Sequence, residues 1–326
     1  MDHRTLGRTG RTISSVGLGT WQLGADWGDV DEDAALDVLR ASADAGVTFF
    51  DTADVYGDGR SEQVIGRFLA ENPGSGITVA TKMGRRGPQE PGEFTLSNFR
   101  AWTDRSRKNL GVDTLDLVQL HCPPTPVFSS DEVYDALDTL VADGAVAAYG
   151  VSVETCDEAL AAIARAGTAT VQIILNAFRL KPLDEVLPAA REAGVGIIAR
   201  VPLASGLLSG RYTADTTFSP DDHRNYNRDG SAFDVGETFS GVDYEAGVAA
   251  AQEFAAQLPE GVTPAAAAIA WVVAQPGVST VIPGARNRAQ AESNAAAGSL
   301  ELPAGLDAAV RDLYDRTFRA AIHPRW

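Results

Sequence analysis

Short apolar runs alternate with amphipathic segments along almost the whole chain. The runs are rich in β-branched and aliphatic residues, as is typical of strands that are buried on both faces. The segments between them repeat apolar residues three and four positions apart, as is typical of helices that cover a sheet. The alternation predicts strands at 15–19, 47–51, 77–81, 116–120, 146–151, 170–174, 195–200 and 278–282.

Eight strands with intervening helices are what a closed parallel barrel requires. The predicted helices lie at about 31–45, 60–71, 97–110, 130–143, 155–166, 183–193, 243–257, 264–275, 287–297 and 306–318. Residues 4–13 place the turn sequence G-R-T-G between two extended segments, which predicts a hairpin that caps one end of the barrel. The pattern therefore predicts a (β/α)8 TIM barrel with long loops at its C-terminal face, and residues 1–326 are expected to form one domain.

Residues at the predicted boundaries agree with this division. Thr263 and Pro264 supply a capping hydroxyl and a first-turn proline, so the alanine-rich segment after them is predicted to be a helix. Five glycines follow helical patterns at positions where a left-handed C-cap is expected: Gly46, Gly111, Gly144, Gly167 and Gly194.

The polar segment 211–240 differs from the rest of the chain. A connection of this length without regular structure is usually functional or disordered. Its aromatic residues, Phe218, Tyr226, Phe233 and Phe239, argue against disorder. We expect this loop to lie over the barrel mouth; the alternative is a surface excursion packed by its own side chains.

Composition and charge restrict the partners. The chain has 326 residues, of which 44% are hydrophobic and 22% are charged, as in a globular protein with a large core. The net charge of −17 argues against nucleic acid or an anionic membrane surface as a partner. Neither an apolar leader nor a long apolar run is apparent, so a cytoplasmic location is expected. Cys122 and Cys156 have neither disulfide nor metal-ligand spacing, and no metal is expected.

Polar side chains stand at or just beyond the ends of three apolar runs. Asp51 ends one run and Tyr56 follows it, whereas Lys82 and His121 end the next two. The carboxyl ends of parallel strands are where α/β enzymes hold their catalytic groups. A tyrosine, with an ordinary pKa of ~10, becomes a better proton donor beside an ammonium, and Asp51 would keep Lys82 charged. With His121 orienting a carbonyl, the pattern predicts reduction to an alcohol once hydride is supplied.

Each of these residues also has a purely structural interpretation, as a loop cap, a packed ring or a surface charge. Composition favours function for the lysine, because 24 of the 27 cationic side chains are arginine and only Lys82, Lys108 and Lys181 are not. Another interpretation makes Lys82 a Schiff-base nucleophile of a barrel aldolase. That chemistry requires a lowered lysine pKa, which Asp51 would oppose.

Several motifs in a fixed order resemble the aldo-keto reductase family. They are G-L-G-T-W, D-T-A-D-V-Y-G, T-K, L-H, G-V-S, V-Q, P-L-A-S-G-L-L-S-G and V-I-P-G-A-R, spread over residues 17–286. The resemblance implies a nicotinamide-dependent reductase of a small-molecule aldehyde, ketone or sugar. Tyr56 is then the general acid, Lys82 and Asp51 tune it, and His121 orients the carbonyl.

The loops after the seventh and eighth strands are the expected phosphate site. A barrel commonly binds phosphates there, and the chain has no G-x-G-x-x-G fingerprint after its first strand. Gly206 and Gly210 would let backbone amides approach a pyrophosphate, with Leu207 and Ser209 beside them.

The resemblance implies NADPH rather than NADH, because Arg286 matches the residue that binds the 2′-phosphate. The alternative is that Arg286 and Arg288 are surface charges at the start of a helix. The chain departs from many members at Val153, where asparagine is frequent, and at Arg200, where an aromatic ring is frequent. The implied cofactor contacts are Gly19, Thr20, Trp21, Ser152, Gln172, Arg200, Pro202, Leu203, Gly284, Arg286, Gln290 and Asn294.

The expected substrate pocket is aromatic, and its residues are Trp21, Trp27, Tyr56 and His121, with Arg224 and Asn225 as polar candidates. A second class of function is a cofactor-binding redox sensor or channel-subunit-like protein with slow turnover. A monomer or small homo-oligomer is expected in either case.

Overall fold

The computed structural model describes residues 1–24, 31–220, 222–228, 231–232, 236 and 238–326. Two residues named above, Trp27 of the expected substrate pocket and Phe233 of the long loop, lie outside the described residues.

An antiparallel hairpin closes the amino-terminal end of the barrel, as predicted. Its strands are β1 (His3–Thr5) and β2 (Thr12–Ser14). Leu6 and Ile13 are buried in one cluster with Phe49 and Leu117, which are the first residues of two barrel strands. The hairpin therefore fills the end of the barrel opposite the ends where the strands stop.

Eight parallel strands follow each other around the barrel in chain order. They are β3 (Leu18–Gly19), β4 (Phe49–Asp51), β5 (Thr78–Met83), β6 (Leu117–His121), β7 (Tyr149–Ser152), β8 (Thr168–Ile174), β9 (Gly196–Arg200) and β10 (Val278–Val281). Bridges from Val16 to Val281 and from Gly19 to Gly284 join the two edges of the sheet. The predicted (β/α)8 barrel is thus confirmed, although β3 and β7 each begin three residues later than predicted.

The predicted helices are all present, and their bounds differ from the prediction by a few residues. The described helices are α1 (Glu32–Asp44), α2 (Arg60–Glu71), α3 (Leu96–Leu110), α4 (Asp131–Ala142), α5 (Cys156–Ile163), α6 (Val186–Ala193), α7 (His223–Tyr226), α8 (Tyr244–Ala256), α9 (Pro264–Ala274), α10 (Arg288–Ala297), α11 (Leu306–Thr317) and α12 (Arg319–Ile322). The one-turn helices α7 and α12 are too short to show a sequence period. None of the described helices combines the length and the apolarity needed to cross a membrane.

Thr263 caps α9 as predicted, because its side chain accepts a hydrogen bond from the amide of Ala266. Of the five glycines expected in the left-handed region, Gly46, Gly111, Gly144 and Gly194 have positive φ. The prediction for Gly167 is wrong, since its φ lies outside that region. A Cβ at this position would overlap the hydroxyl of Tyr149, which donates to Asp138 at 2.7 Å. Glycine is required there by close approach and not by backbone conformation.

The Gly167→Ala substitution should lower the free energy of unfolding by about 2–3 kcal/mol, because the new methyl group meets a buried tyrosine. In a Tyr149→Phe background the overlapping hydroxyl is absent, whereas Tyr149 Cζ at 2.7 Å and Asp138 Oδ1 at 2.6 Å still crowd the new methyl group, so the same substitution should cost about 1 kcal/mol less. Urea denaturation of the four proteins in this cycle measures both values. Equal costs in the two backgrounds would contradict the assignment.

Candidate active site

The four residues of the predicted catalytic group lie at the carboxyl ends of three neighbouring strands. Asp51 ends β4, Lys82 is the next-to-last residue of β5, and His121 ends β6. Tyr56 begins the 3-10 turn that follows β4. Asp51 and Lys82 are almost fully buried, with 2% and 1% of their surface exposed. Adjacent parallel strands thus bring residues from positions 51 to 121 to one end of the barrel.

Lys82 is the centre of this group. Its ammonium forms an ion pair with Asp51 and donates to the carbonyl of Thr52 at 2.9 Å and to the Tyr56 hydroxyl at 3.4 Å. The His121 ring stands edge-on to the Tyr56 ring, with centroids 5.9 Å apart. The Trp21 ring stacks on Tyr56 at 6.2 Å. The predicted residues therefore converge around the tyrosine hydroxyl.

The protonation states follow from burial and from these contacts. Burial lowers the pKa of Lys82, but the charge of Asp51 and the Tyr56 oxygen outweigh it, so the pKa of Lys82 is raised. The lysine stays charged, which argues against a Schiff-base nucleophile. Burial raises the pKa of Tyr56, and Lys82 opposes this only in part. The expected net acidification of the phenol is therefore absent, and the hydroxyl is a protonated donor at neutral pH.

Two glutamines inside the barrel hold the second oxygen of Asp51. Gln172 donates to Asp51 Oδ2 at 2.7 Å, and Gln119 donates to the same atom at 3.2 Å. Gln172, an implied cofactor contact, lies on the wall of the cleft described below, and its Nε2 is directed at the carboxylate. Gln119 was missed, although it lies two residues before His121 on the same face of β6.

The turn that carries Tyr56 is fixed against the neighbouring loop. The Thr20 hydroxyl donates to the carbonyl of Asp51 at 2.9 Å and contacts the Ser61 hydroxyl at 2.8 Å. Gly57 has a φ of 58°, and a Cβ there would overlap the carbonyl of Gly24. These contacts join the loop that bears Trp21 to the turn that bears Tyr56.

A cleft of about 920 Å³ runs from Tyr56 to the amino terminus of α10. This volume is in the range that holds a small organic ligand. The predicted residues on its wall are Gly19, Thr20, Trp21, Asp51, Tyr56, Gln172, Arg200, Pro202, Leu203, Gly206, Ser209, Gly284, Arg286, Gln290 and Asn294. The predicted residues Lys82, His121, Ser152, Leu207 and Gly210 are not among the residues of that wall.

Three of the predicted residues that do not line the cleft have other contacts. The Ser152 hydroxyl lies 3.4 Å from the Cys122 sulfur. Leu207 is buried in the main hydrophobic core. Gly210 has a φ of 72°, and a Cβ there would press on Pro264. Of the predicted pyrophosphate contacts on this loop, Gly206 and Ser209 line the cleft.

The two departures from the family pattern contact each other. Arg200, buried at the end of β9, donates to the carbonyl of Val153 at 3.1 Å and to the Cys122 sulfur at 3.8 Å. Its positive charge also favours the ionised form of Tyr56. Arg200 is thus a cation of the cleft wall within electrostatic reach of the tyrosine.

Arg286 and Arg288, near the start of α10, have different surroundings. Arg288 pairs with Asp37 on the surface. Arg286 lies on the cleft wall, and its amide donates to Gln290 at 2.8 Å. Asn294 donates to the carbonyl of Gly284 at 3.1 Å, so the predicted residues of this segment form one connected unit.

Described residues of the long loop also line the cleft. Arg224 pairs with Asp222, donates to the Tyr212 hydroxyl and lies 4.6 Å from the Phe218 ring. The His223 ring lies 5.3 Å from that of Trp21, and burial lowers the pKa of His223 to about 4. Arg224, a predicted polar contact of the substrate, lines the same cleft as Arg286.

A family model and several named proteins match nearly the whole chain. A family model described as the aldo/keto reductase family matches residues 15–314. The aldo-keto reductase YhdN of Bacillus subtilis is 29% identical over 297 residues, which cover 90% of this chain and 87% of the relative. A probable voltage-gated potassium channel subunit beta of Arabidopsis thaliana is 31% identical over 312 residues, which cover 90% of each.

Solved structures are similar over nearly the full length. The glycerol dehydrogenase AKR11B4 from Gluconobacter oxydans has a TM-score of 0.80 and 30% identity, and the match covers 97% of this chain and 96% of that one. An aldo-keto reductase from Klebsiella pneumoniae in complex with NADPH has a TM-score of 0.69 and 25% identity, covering 96% of each chain.

The Lys82→Met substitution should lower the free energy of unfolding by about 3–5 kcal/mol, because it leaves a buried carboxylate without its cation. The double variant Asp51→Asn/Lys82→Met should lose clearly less than the sum of the two single losses. As a control, Arg11→Met breaks a partly exposed pair with Asp116 and should cost less than about 1 kcal/mol. Additive losses in urea denaturation would show that Lys82 and Asp51 are not coupled.

Proposed function

Because the chain belongs to the aldo/keto reductase family, we propose that it is an NADPH-dependent oxidoreductase that reversibly reduces the carbonyl of an aldehyde, ketone or sugar. The observation that carries this proposal is the contact of the Tyr56 hydroxyl with the Lys82 ammonium at one end of the cleft. We also propose that residues 1–326 act as one catalytic unit, with the long loop as part of its cleft.

The residues of the cleft fit a nicotinamide dinucleotide. Gly206 and Gly284 lie on the cleft wall, where a Cβ would overlap the side chains of Tyr212 and Gln22. Arg224 and Arg286 supply two guanidinium groups for phosphates, and the similar Klebsiella pneumoniae protein is named as an NADPH complex. When bound, such a cofactor supplies the hydride.

The side chains around the hydroxyl perform the proton chemistry. Tyr56 donates its proton to the carbonyl oxygen as negative charge develops there. Lys82 stabilises the resulting phenolate, and Asp51 keeps Lys82 charged and in position. His121 orients the carbonyl oxygen toward Tyr56, and Trp21 forms part of the apolar wall of the substrate pocket.

A cofactor-binding sensor is the second candidate. The observation in its favour is 31% identity to the Arabidopsis thaliana protein named as a probable channel subunit. Both candidates bind cofactor, and they differ in the rate of hydride transfer. A single-turnover measurement of bound NADPH with 4-nitrobenzaldehyde separates them, because a sensor leaves the cofactor largely unoxidised.

The Tyr56→Phe substitution should reduce carbonyl turnover by about 100-fold or more, because the general acid is removed. NADPH affinity, measured by fluorescence, should remain unchanged. Tyr134→Phe, in a buried tyrosine of α4, is the matched control and should retain turnover. Substantial turnover by the Tyr56 variant would exclude the proposed acid.

The Arg286→Ala substitution should weaken NADPH binding by about 10- to 100-fold, because a charge-assisted contact to the 2′-phosphate is lost. Binding of NADH, which lacks that phosphate, should hardly change. Arg288→Ala, which removes only the surface pair with Asp37, should affect neither cofactor. An equal loss for NADPH and NADH would contradict the assignment.

A further inference from the structure

Asp54 is a buried carboxyl group in the motif D-T-A-D-V-Y-G, two residues before Tyr56, and the chemistry above does not use it. Its main chain is firmly held, because its amide donates to the carbonyl of Lys82 at 3.1 Å and its carbonyl accepts from Arg105 at 3.4 Å. Its side chain is fully buried, and within the described part of the chain neither carboxyl oxygen has a hydrogen-bond partner. Such a group is costly to ionise.

A second buried carboxylate, that of Glu62, influences the pKa of Asp54. Glu62 of α2 is also fully buried, and its two oxygens accept from Thr81 at 2.6 Å and from Asn109 at 2.8 Å. Both donors are neutral, so neither offsets the negative charge of Glu62. Burial and the charge of Glu62 raise the pKa of Asp54 to about 7, against the weaker opposite effects of Arg86, Arg105 and the amide of Val55.

The two arginines are shared with an exposed partner in the same turn. Arg86, after β5, pairs with Asp58, and Arg105 of α3 donates to Asp58 Oδ1 at 2.9 Å and to its carbonyl at 2.6 Å. Asp58 has a φ of 53° and lies between Gly57 and Gly59, which also have positive φ. The arginines therefore hold a strained turn from outside through Asp58.

An ionised Asp54 would compete with Asp58 for these cations. A neutral Asp54 leaves both arginines on Asp58, and the turn then keeps Tyr56 beside Lys82. An anionic Asp54 attracts Arg105, which already contacts its carbonyl, and weakens the hold on Asp58. Protonation of Asp54 thus favours the arrangement in which the tyrosine meets the lysine.

We propose that Asp54 is a positioning residue whose neutral carboxyl group keeps the Tyr56 turn in its active arrangement. This inference rests on the proposed function of Tyr56 as the proton donor. The charged groups that face Asp54 are Glu62 from α2, Arg105 from α3, Arg86 from the segment after β5, and Asp58 from its own turn.

The test is the pH profile of carbonyl reduction from pH 5.5 to 9 for the wild-type protein and for Asp54→Asn, which is permanently neutral. If only the neutral form is competent, turnover of the wild-type protein should fall by about tenfold between pH 6 and pH 8. The Asp54→Asn variant should lack this fall, because the raised pKa of Tyr56 keeps the ionisation of the tyrosine above this range. Asp104→Asn, which alters an exposed acid of α3 outside the cluster, should match the wild type.

Asp58→Asn provides a second variant with a directional result. It releases Arg86 and Arg105 toward Asp54, so the fall in turnover should move to lower pH. The proposal is overturned if Asp54→Asn shows the same fall as the wild type, or if Asp58→Asn leaves the midpoint unchanged. It is also overturned if the folded Asp54→Asn variant is inactive at every pH, since the carboxylate itself would then be required.

Thermal stability tests the protonation of Asp54 without an activity measurement. The folded protein holds the Asp54 proton to a higher pH than the unfolded chain does, so raising the pH from about 4 to about 7 favours unfolding. The Tm of Asp54→Asn relative to wild type should therefore rise over this window and level off above it. A constant difference would refute the buried neutral carboxyl, whereas an inactive wild-type protein with the expected Tm difference would refute only the proposed function.

Discussion

The buried pair of Lys82 and Asp51 is the interaction on which the rest of this barrel mouth depends. Taking two charges out of water costs several kcal/mol per ion, and attraction between them repays it only when the remaining donors and acceptors are satisfied. Gln119 and Gln172 occupy the second oxygen of the carboxylate, and the carbonyl of Thr52 accepts from the ammonium. A polar layer inside an otherwise apolar barrel is therefore a condition for placing one lysine beside one tyrosine.

The turn after β4, which carries Tyr56 to the lysine, has an unusual backbone. The chain reverses sharply just after Tyr56, and Gly57, Asp58 and Gly59 all have positive φ. A non-glycine residue there costs about 1–2 kcal/mol, and the contacts of the largely exposed Asp58 with Arg86 and Arg105 offset part of that cost. Strain close to the hydroxyl is thus reduced by ion pairs on the outside of the barrel.

The strands and the polar residues at their ends could be predicted because a buried parallel strand is an apolar run that stops at a polar side chain. Asp51, Lys82 and His121 each carry that signal. Gln119 and Asp54 do not, because their importance depends on which neighbours the strand register and the turn bring to them. The need for glycine at position 167 was attributed to the wrong cause. Sequence spacing shows where a helix ends, but it does not show that the hydroxyl of Tyr149 packs against Gly167.

The acidity of the chain and the cationic character of its cleft are compatible because charge acts over short distances here. Exposed charges more than about 8 Å apart are largely screened at physiological ionic strength. Many carboxylates of the outer helices are already paired with arginines one turn away, as in three pairs along α11 and α12: Asp307–Arg311, Asp312–Arg316 and Asp315–Arg319. The cleft has Arg200, Arg224 and Arg286 on its wall. A small anion inside it is governed by these nearby guanidinium groups, whereas a long polyanion lying across the surface would meet the excess of carboxylates. The net charge of −17 therefore argues against nucleic acid as a partner and does not argue against a bound nucleotide.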